Sequence, residues 1–450
     1  KIDEAIKGVF IPGRLFEDLG FRYVGPIDGH DVDALIETFS TVKDLKGPTL
    51  MHVITRKGKG YEQAEEKADV WHGAKPFDIS TGEFHKKKSN PAYTNVFADA
   101  MIDLAKEDDK LIGITAAMPD GTGISKFGKE FPDRTFDVGM AEQHGVAFAG
   151  ALSIEGFRPI VAIYSTFLQR AYDQVVHDIC LMNLSVTFAM DRAGIVGEDG
   201  ATHQGLYDIA FLRTLPNMVV MAPKDENELR HMLKTAVYHQ GPAALRYPRG
   251  SGLGVPLDPE MKELPIGKGE VIQDGTDIAI FAYGHTVEWA QTVADKLEKE
   301  GVSVAVINAR FAKPVDKELI VKYALKARCL VTTEEHSLMG GFGSAILEAL
   351  QEEEMVNIPV KCIGVGDIVL EHGSSSEQRK ELKLDPEGMF ETIMTFYGAV
   401  AEMMASGNGK NGQKWVVGNG KKSHSPNGKN TTYSGNGNKE KAKEKEPLNG

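Results

Sequence analysis

The sequence predicts an α/β protein built on doubly wound, mostly parallel sheets. Two observations carry that prediction. Short apolar runs alternate with helix-like segments from about Tyr93 to Pro248, and the same alternation restarts beyond a turn-rich stretch around Gly250 to Pro265. Alternating strands and helices argue for a parallel sheet covered on both faces, because each crossover helix must pack back on the sheet.

Before that pattern, residues 1–90 read as a helix, then the strand TLMHVIT at Thr49 to Thr55, then the Gly- and Lys-rich loop TRKGKGY. That is too little for an independent doubly wound domain. From Tyr93 the order is helix (TNVFADAMIDLA), strand (LIGIT), helix, strand (RPIVAIYS), helix (FLQRAYDQVVHDICLM), strand (SVTFAMD), strand (MVVMAP), helix (ENELRHMLKTAV) and strand (AALRYP). A second α/β domain follows, with strands DIAIFAYG, SVAVINA, CLVTTEE and VKCIGV separated by helices and ending near Val400. The expected division is therefore 1–90, 91–256, 257–402 and a tail, 403–450. Gly, Asn and Lys dominate the tail, with only WVV at Trp415 to Val417 apolar, so it is expected to be disordered.

With 450 residues, 42% hydrophobic and 26% charged, the chain can bury a large core. A formal net charge of -13 argues against nonspecific nucleic-acid binding and leaves room only for a local basic pocket. Cys180, Cys329 and Cys362 show no CxxC spacing and are expected to be buried free thiols in a reducing compartment. No apolar run is long enough to span a membrane, and KIDEAIKGVF is not a signal peptide. The chain has no initiator Met and starts inside a helix-like pattern, which reads as truncation at its start.

Polar groups concentrate at predicted strand ends, where ligands bind in open α/β sheets. FDVGMAEQH (Phe136 to His144) puts Glu142 where an apolar strand gives way to an apolar helix; desolvation there would raise its affinity for a proton, while the ordinary alternative is an acid complementing a helix N-terminus. YSTFLQRAYDQ supplies Tyr164, Phe167 and Arg170, and DRAGIVGEDGATHQ supplies Arg192, Asp199 and His203. RYPRG adds Arg249. Taken singly, Arg170 could be a helix-surface residue, Phe167 a core aromatic, Asp199 with His203 a satisfied loop pair, and Arg249 a turn residue. Their joint placement suits a small acid and a phosphorylated partner, since arginine forks bind carboxylate and phosphate bidentately and His203 can shuttle a proton near neutral pH. No His, Cys or Asp cluster has transition-metal spacing. Lys57, Lys59 and His72 could face an anion or form a solvated basic loop, and GGFGSA at Gly340 to Ala345 reads as a tight strand-to-helix turn.

Together GPIDGHD (Gly25 to Asp31), GKGYEQAE (Gly58 to Glu65), FDVGMAEQH, YSTFLQRAYDQ, DRAGIVGEDGATHQG and RYPRG resemble the 1-deoxy-D-xylulose-5-phosphate synthase family, thiamine diphosphate enzymes of the transketolase group. The likeness covers about residues 10–400. It implies a transketolase-like pyrimidine-binding domain and a transketolase C-terminal domain, with 1–90 the remnant of a diphosphate-binding domain. It also implies decarboxylation of pyruvate and transfer of the two-carbon unit to glyceraldehyde 3-phosphate, the first step of the non-mevalonate route to isoprenoids. By the same resemblance Glu142 would hydrogen-bond the aminopyrimidine of thiamine diphosphate, Phe167 would stack on it, and Lys59 would contact the cofactor. Tyr164, Arg192 and Arg249 would hold the aldehyde's phosphate, and Arg170 would lie near the pyruvate-derived group. Asp199 and His203 would contact the acceptor, with His203 the proton donor, and His72 would line the cavity.

A homodimer is implied, with no nucleic acid or membrane partner, in the plastid stroma of a plant or the cytoplasm of a bacterium. The chain departs from the family in lacking the GDG motif and its following Asn, which hold Mg2+ and the diphosphate, and an upstream substrate histidine. Weak binding of the cofactor by this chain is the corresponding expectation. Three readings follow: a synthase without its N-terminal part, a partner-dependent half-enzyme resembling the beta subunit of the first component of 2-oxo acid dehydrogenases, and a non-catalytic paralogue.

Overall fold

The computed structural model describes residues 13–68, 70–71, 73–74, 76–84 and 89–406. His72 and residues 407–450 of the expected tail lie outside them. The chain divides into two compact units, Lys1–Ser89 and Asn90–Gly450.

In the first unit β1 (Arg22–Asp28) pairs in parallel with β2 (Thr49–Ile54), and the helix Val32–Val42 connects them. That helix starts at Asp31, whose carboxylate accepts from Ala34 N–H, the usual way to satisfy an orphan donor. The sequence reading missed β1. Gly25 and Pro26 interrupt it, the ladder shifts register between Val24 and Ile27, and a proline offers no ladder donor, so the local pattern reads as a turn.

The second unit holds both predicted sheets. Its strands are β3 (Leu111–Thr115), β4 (Thr135–Asp137), β5 (Arg158–Tyr164), β6 (Thr187–Asp191), β7 (Val219–Met221), β8 (Ala243–Arg246), β9 (Glu270–Gln273), β10 (Ile278–Ala282), β11 (Val304–Asn308), β12 (Phe311–Lys313), β13 (Cys329–Ser337) and β14 (Val360–Val365). One sheet runs β12-β7-β8-β6-β5-β3-β4 and the other β14-β13-β10-β11-β9. All pairings are parallel except those of β9 and β12, which form antiparallel edges. The mostly parallel α/β fold predicted from the alternation is thus present. β12 follows the second domain's β11 in sequence yet joins the first sheet, through Phe311 opposite Met221. One apolar core passes from Ile114, Ile163 and Met190 of the first sheet to Phe281, Tyr283 and Ile307 of the second.

One predicted helix is corrected. FLQRAYDQVVHDICLM is not continuous: a short α-helix, Ser165–Leu168, passes through a 3-10 turn, Gln169–Ala171, and another short α-turn into a π-helix, Val175–Cys180. Changes of pitch of this kind re-aim side chains and are frequent at functional sites. Leu168, Ala171, Val175 and Ile179 stay buried throughout, so packing on the sheet overrides helical regularity. Cys180 and Cys329 are buried and Cys362 half-buried, all as free thiols. No helix among the described residues is long and apolar enough to cross a membrane.

Candidate active site

β5, β6 and β8 are neighbours in the first sheet and end at Tyr164, Asp191 and Arg246. The loops leaving these carboxyl ends therefore share one edge, which is the geometric reason that polar residues far apart in sequence meet here. Glu142 opens the helix Glu142–Ile154 after β4. Because Gly145, Val146, Ala149 and Gly150 of that helix pack inward, its first turn is drawn into the core and Glu142 is left only 2% exposed.

Arg170 compensates that burial. Its Nη1 donates to Glu142 Oε1 at 2.8 Å, and among the described residues it is the only hydrogen-bond partner of this carboxylate. The same guanidinium lies over the Phe167 ring, 4.9 Å from its centroid. A flat N–H donor is thus held at once by a buried carboxylate and an aromatic face. From the sequence Arg170 was assigned to the substrate; here it stands between Phe167 and Glu142, with its side chain 51% exposed and free to move away.

Phe167 joins the rest of the cluster. It stacks beside Tyr164 at 5.9 Å, and His203 meets it edge-on at 5.1 Å. Thr202 Oγ1 contacts His203 Nδ1 at 2.9 Å, and the Thr202 carbonyl accepts from Thr166 Oγ1 at 3.2 Å, which ties the His203 turn to the Phe167 turn. Arg192 lies over the Tyr164 ring at 4.0 Å. The Tyr164 hydroxyl closes down on Gly121, where any Cβ would fall 1.6 Å from the oxygen, so only glycine fits. Burial raises the Tyr164 phenol above its usual value, against the opposing pull of Arg192.

Asp191 is the residue that sequence reasoning missed here. It is fully buried, accepts from Thr94 Oγ1 at 2.5 Å, and takes both the backbone N–H (2.7 Å) and Nη1 (2.9 Å) of Arg192. That grip holds Arg192 in the left-handed region, at φ 57°, which costs a non-glycine residue of order 1 kcal/mol. Burial raises the Asp191 carboxyl, and Arg192 and Thr94 oppose it. The Nε of Arg192 is buried with no hydrogen-bond partner among the described residues. The available signal was a carboxylate closing a fully apolar strand.

Asp199 does not pair with His203. It faces Arg249 instead, Oδ2 to Nε at 3.4 Å, while Arg249 Nη1 donates to the Val196 carbonyl at 2.9 Å and to Glu198 at 2.7 Å. Arg249 is thus a ligand of the Gly-rich loop as well as a cation at the edge. The 340–345 glycines form the expected turn: Glu334 of β13 accepts from Phe342 and Gly343 N–H at 2.6 and 2.7 Å, capping the helix Phe342–Glu352. Burial pushes the Glu334 carboxyl up to about 7. In the first unit Lys59 lines a cleft of about 410 Å³ with Pro26, Asp28, His30 and Arg56. Among the described residues no group of three or more His, Cys, Asp or Glu side chains could hold a metal.

Comparisons with known proteins agree with this geometry. Residues 89–253 match the transketolase pyrimidine-binding domain, residues 267–389 the transketolase C-terminal domain, and residues 1–55 the family described as 1-deoxy-D-xylulose-5-phosphate synthase. 1-Deoxy-D-xylulose-5-phosphate synthase 1 of Geobacter sulfurreducens is 53% identical over 89% of this chain and 63% of its own length. The synthase of Heliobacterium modesticaldum is 55% identical over 85% and 59%. The chain therefore spans less than two thirds of these relatives. Among solved structures, a split-gene transketolase described as an inactive β4 tetramer is 33% identical, with 99% of its chain and 69% of this one covered at a TM-score of 0.61. A transketolase from Campylobacter jejuni, 17% identical over 85% of this chain and 68% of its own at a TM-score of 0.57, shares the fold.

Proposed function

This chain belongs to the transketolase family, on its 1-deoxy-D-xylulose-5-phosphate synthase branch, and we propose that it carries the proton-handling and acceptor-binding half of such a synthase. The reaction would remove CO2 from pyruvate and join the two-carbon remainder to glyceraldehyde 3-phosphate. One observation carries the reading: the guanidinium of Arg170 is hydrogen-bonded to buried Glu142 and laid over Phe167, the environment that a flat aminopyrimidine ring requires. When bound, thiamine diphosphate supplies the electron sink for decarboxylating a 2-oxo acid.

The chain's own residues then divide the work. Glu142 would accept an N–H from the pyrimidine and Phe167 would stack on it, with Arg170 released to pair with the carboxylate of pyruvate. Tyr164, Arg192 and Arg249 would hold the acceptor's phosphate, and the Arg192 guanidinium held over the Tyr164 ring supports that role. Asp199 would bind an acceptor hydroxyl, and His203 would deliver a proton to the carbonyl oxygen as it becomes a hydroxyl. Lys59 is assigned to the cofactor. Mg2+ belongs to the same reading; among the described residues no group of three or more His, Cys, Asp or Glu side chains stands ready to hold it. Homodimerisation belongs to the same reading, with exposed Phe136 and Met140 beside Glu142 as the apolar side chains it would cover.

A partner-dependent half-enzyme is the second reading, supported by the split-gene transketolase whose chain is almost wholly covered. The match of residues 1–55 to the synthase family favours the first. The test is calorimetric titration of the chain with glyceraldehyde 3-phosphate, followed by assay of product from pyruvate after adding the N-terminal portion of a full-length relative. Saturable acceptor binding that Arg249→Ala weakens about 10- to 100-fold, together with product, is expected. Equal binding by wild type and Arg249→Ala would sink the acceptor assignment, and binding without product would favour the second reading.

A further inference from the structure

Glu335 lies on β13 of the second sheet and is 1% exposed. It accepts Arg379 Nε at 2.5 Å and Nη2 at 3.3 Å, and His285 Nε2 lies 3.1 Å away. Trp289 backs both side chains, with the Arg379 guanidinium 5.2 Å and the His285 ring 4.8 Å from its own ring. The fourth contact is not within the second sheet at all: Ile195 N–H, on the Gly-rich loop of the first, donates to Glu335 Oε2 at 3.1 Å.

That loop is built around the contact. Gly194 is in the left-handed region at φ 88°, and a Cβ there would fall 2.3 Å from Glu335 Oε2, so glycine is required twice over. Gly194 and Gly205 exchange backbone hydrogen bonds of 2.8 Å and close the loop into a ring that contains Asp199 and His203. The side chains of Ile195 and Leu206, at the ring's neck, pack into the apolar core of the second sheet with Ile280 and Val331, and Ser337 N–H donates to the Leu206 carbonyl at 3.0 Å. One residue past Ile195, the Val196 carbonyl accepts from Arg249. Glu335 is therefore joined through two adjacent loop residues to a cation assigned to the phosphate.

From this geometry we infer that Glu335 is a positioning residue for the acceptor: a second-sheet carboxylate that fixes the Gly194–Gly205 ring, and through it Asp199, His203 and Arg249, for the phosphorylated aldehyde. The inference rests on the acceptor assignment of that ring. Among the described residues Glu335 makes no hydrogen bond or ion pair with Glu142 or Arg170, so its direct hold is on the acceptor ring.

The experiment is hydrogen exchange over residues 194–205 and calorimetric titration with glyceraldehyde 3-phosphate, on wild type, Glu335→Gln, Arg379→Gln and Arg249→Ala. Glu335→Gln keeps the size and one acceptor but loses the charge that pairs with Arg379. It is expected to speed exchange at Ile195 and weaken acceptor binding about tenfold, the loss of roughly one positioned hydrogen bond. Arg379→Gln, at a partly exposed position, should do the same to a smaller degree with the fold intact. In the assay with the N-terminal portion of a relative added, the KM for glyceraldehyde 3-phosphate should rise while that for pyruvate holds. Wild-type exchange and affinity in both Gln variants, with Arg249→Ala losing the acceptor, overturns the positioning role alone. No binding by wild type overturns the acceptor assignment and this inference together.

Discussion

Two buried carboxylates sit in this molecule with opposite surroundings. Glu142 of the first sheet has one partner among the described residues, the half-exposed Arg170, and its second oxygen is uncommitted. Glu335 of the second sheet is surrounded by a backbone N–H, two nitrogens of Arg379 and one of His285. A buried acid with spare acceptor capacity is poised for a ligand, whereas one held by three N–H donors keeps structure in place. The contrast explains why two equally hidden glutamates take different roles.

Substitution should separate them. Glu142→Ala is expected to lower pyruvate decarboxylation by about 10²- to 10⁴-fold, as for loss of a proton-handling group, measured with the N-terminal portion of a relative supplied. Its melting temperature should move little, because the Arg170 left behind is half exposed and is taken up by water once its partner is gone. Glu335→Ala should reverse the pattern, costing about 3–5 kcal/mol in a urea unfolding series by stranding the inward-facing guanidinium of Arg379. A large stability loss in the Glu142 variant, or none in the Glu335 variant, would erase the distinction.

Smaller effects sharpen it. Arg249→Ala should raise the KM for glyceraldehyde 3-phosphate roughly 10- to 100-fold, the range of one or two charge-assisted hydrogen bonds, with the pyruvate KM unchanged. Equal rises in both would place Arg249 on the common scaffold.

A pH series probes the network next to Glu335. Burial holds His336 down to about 4, so the unfolded chain takes up its proton near pH 6.5 and the folded one does not until about pH 4. Its contribution is thus fully present above pH 6.5 and is lost as pH falls toward 4, by about 3 kcal/mol. Glu334 works in the other direction: with its carboxyl up at about 7, stability present below its usual range is lost as pH rises to 7. His336→Gln should flatten the acid limb of the melting curve between pH 6.5 and 4. Parallel curves for wild type and variant would show that His336 gains its proton without unfolding cost.

Much of the site was legible because the signal is local. An apolar run ending in Tyr164, Asp191 or Arg246 marks a strand end, and the rule that ligands gather there brought Tyr164, Phe167, Arg170, Arg192, His203 and Arg249 to one edge before any coordinate was known. Asp191 was passed over since its function lies in the turn it imposes on Arg192, a backbone state with no periodic signature. β1 and β12 escaped for a similar reason: a Gly-Pro pair breaks one, and the other is three residues long with a partner some 90 positions earlier.

The sequence by itself determined the two parallel sheets, the family likeness and the identity of the polar edge, since burial periodicity and strand-end chemistry are written within a few residues. Tertiary structure alone decided which charge meets which. Arg170 lies 28 positions from Glu142, and Ile195 lies 140 from Glu335. Pairings at such distances depend on how two sheets share one core and on how many donors each buried carboxylate finds there. Neither quantity is encoded in any local stretch of the chain.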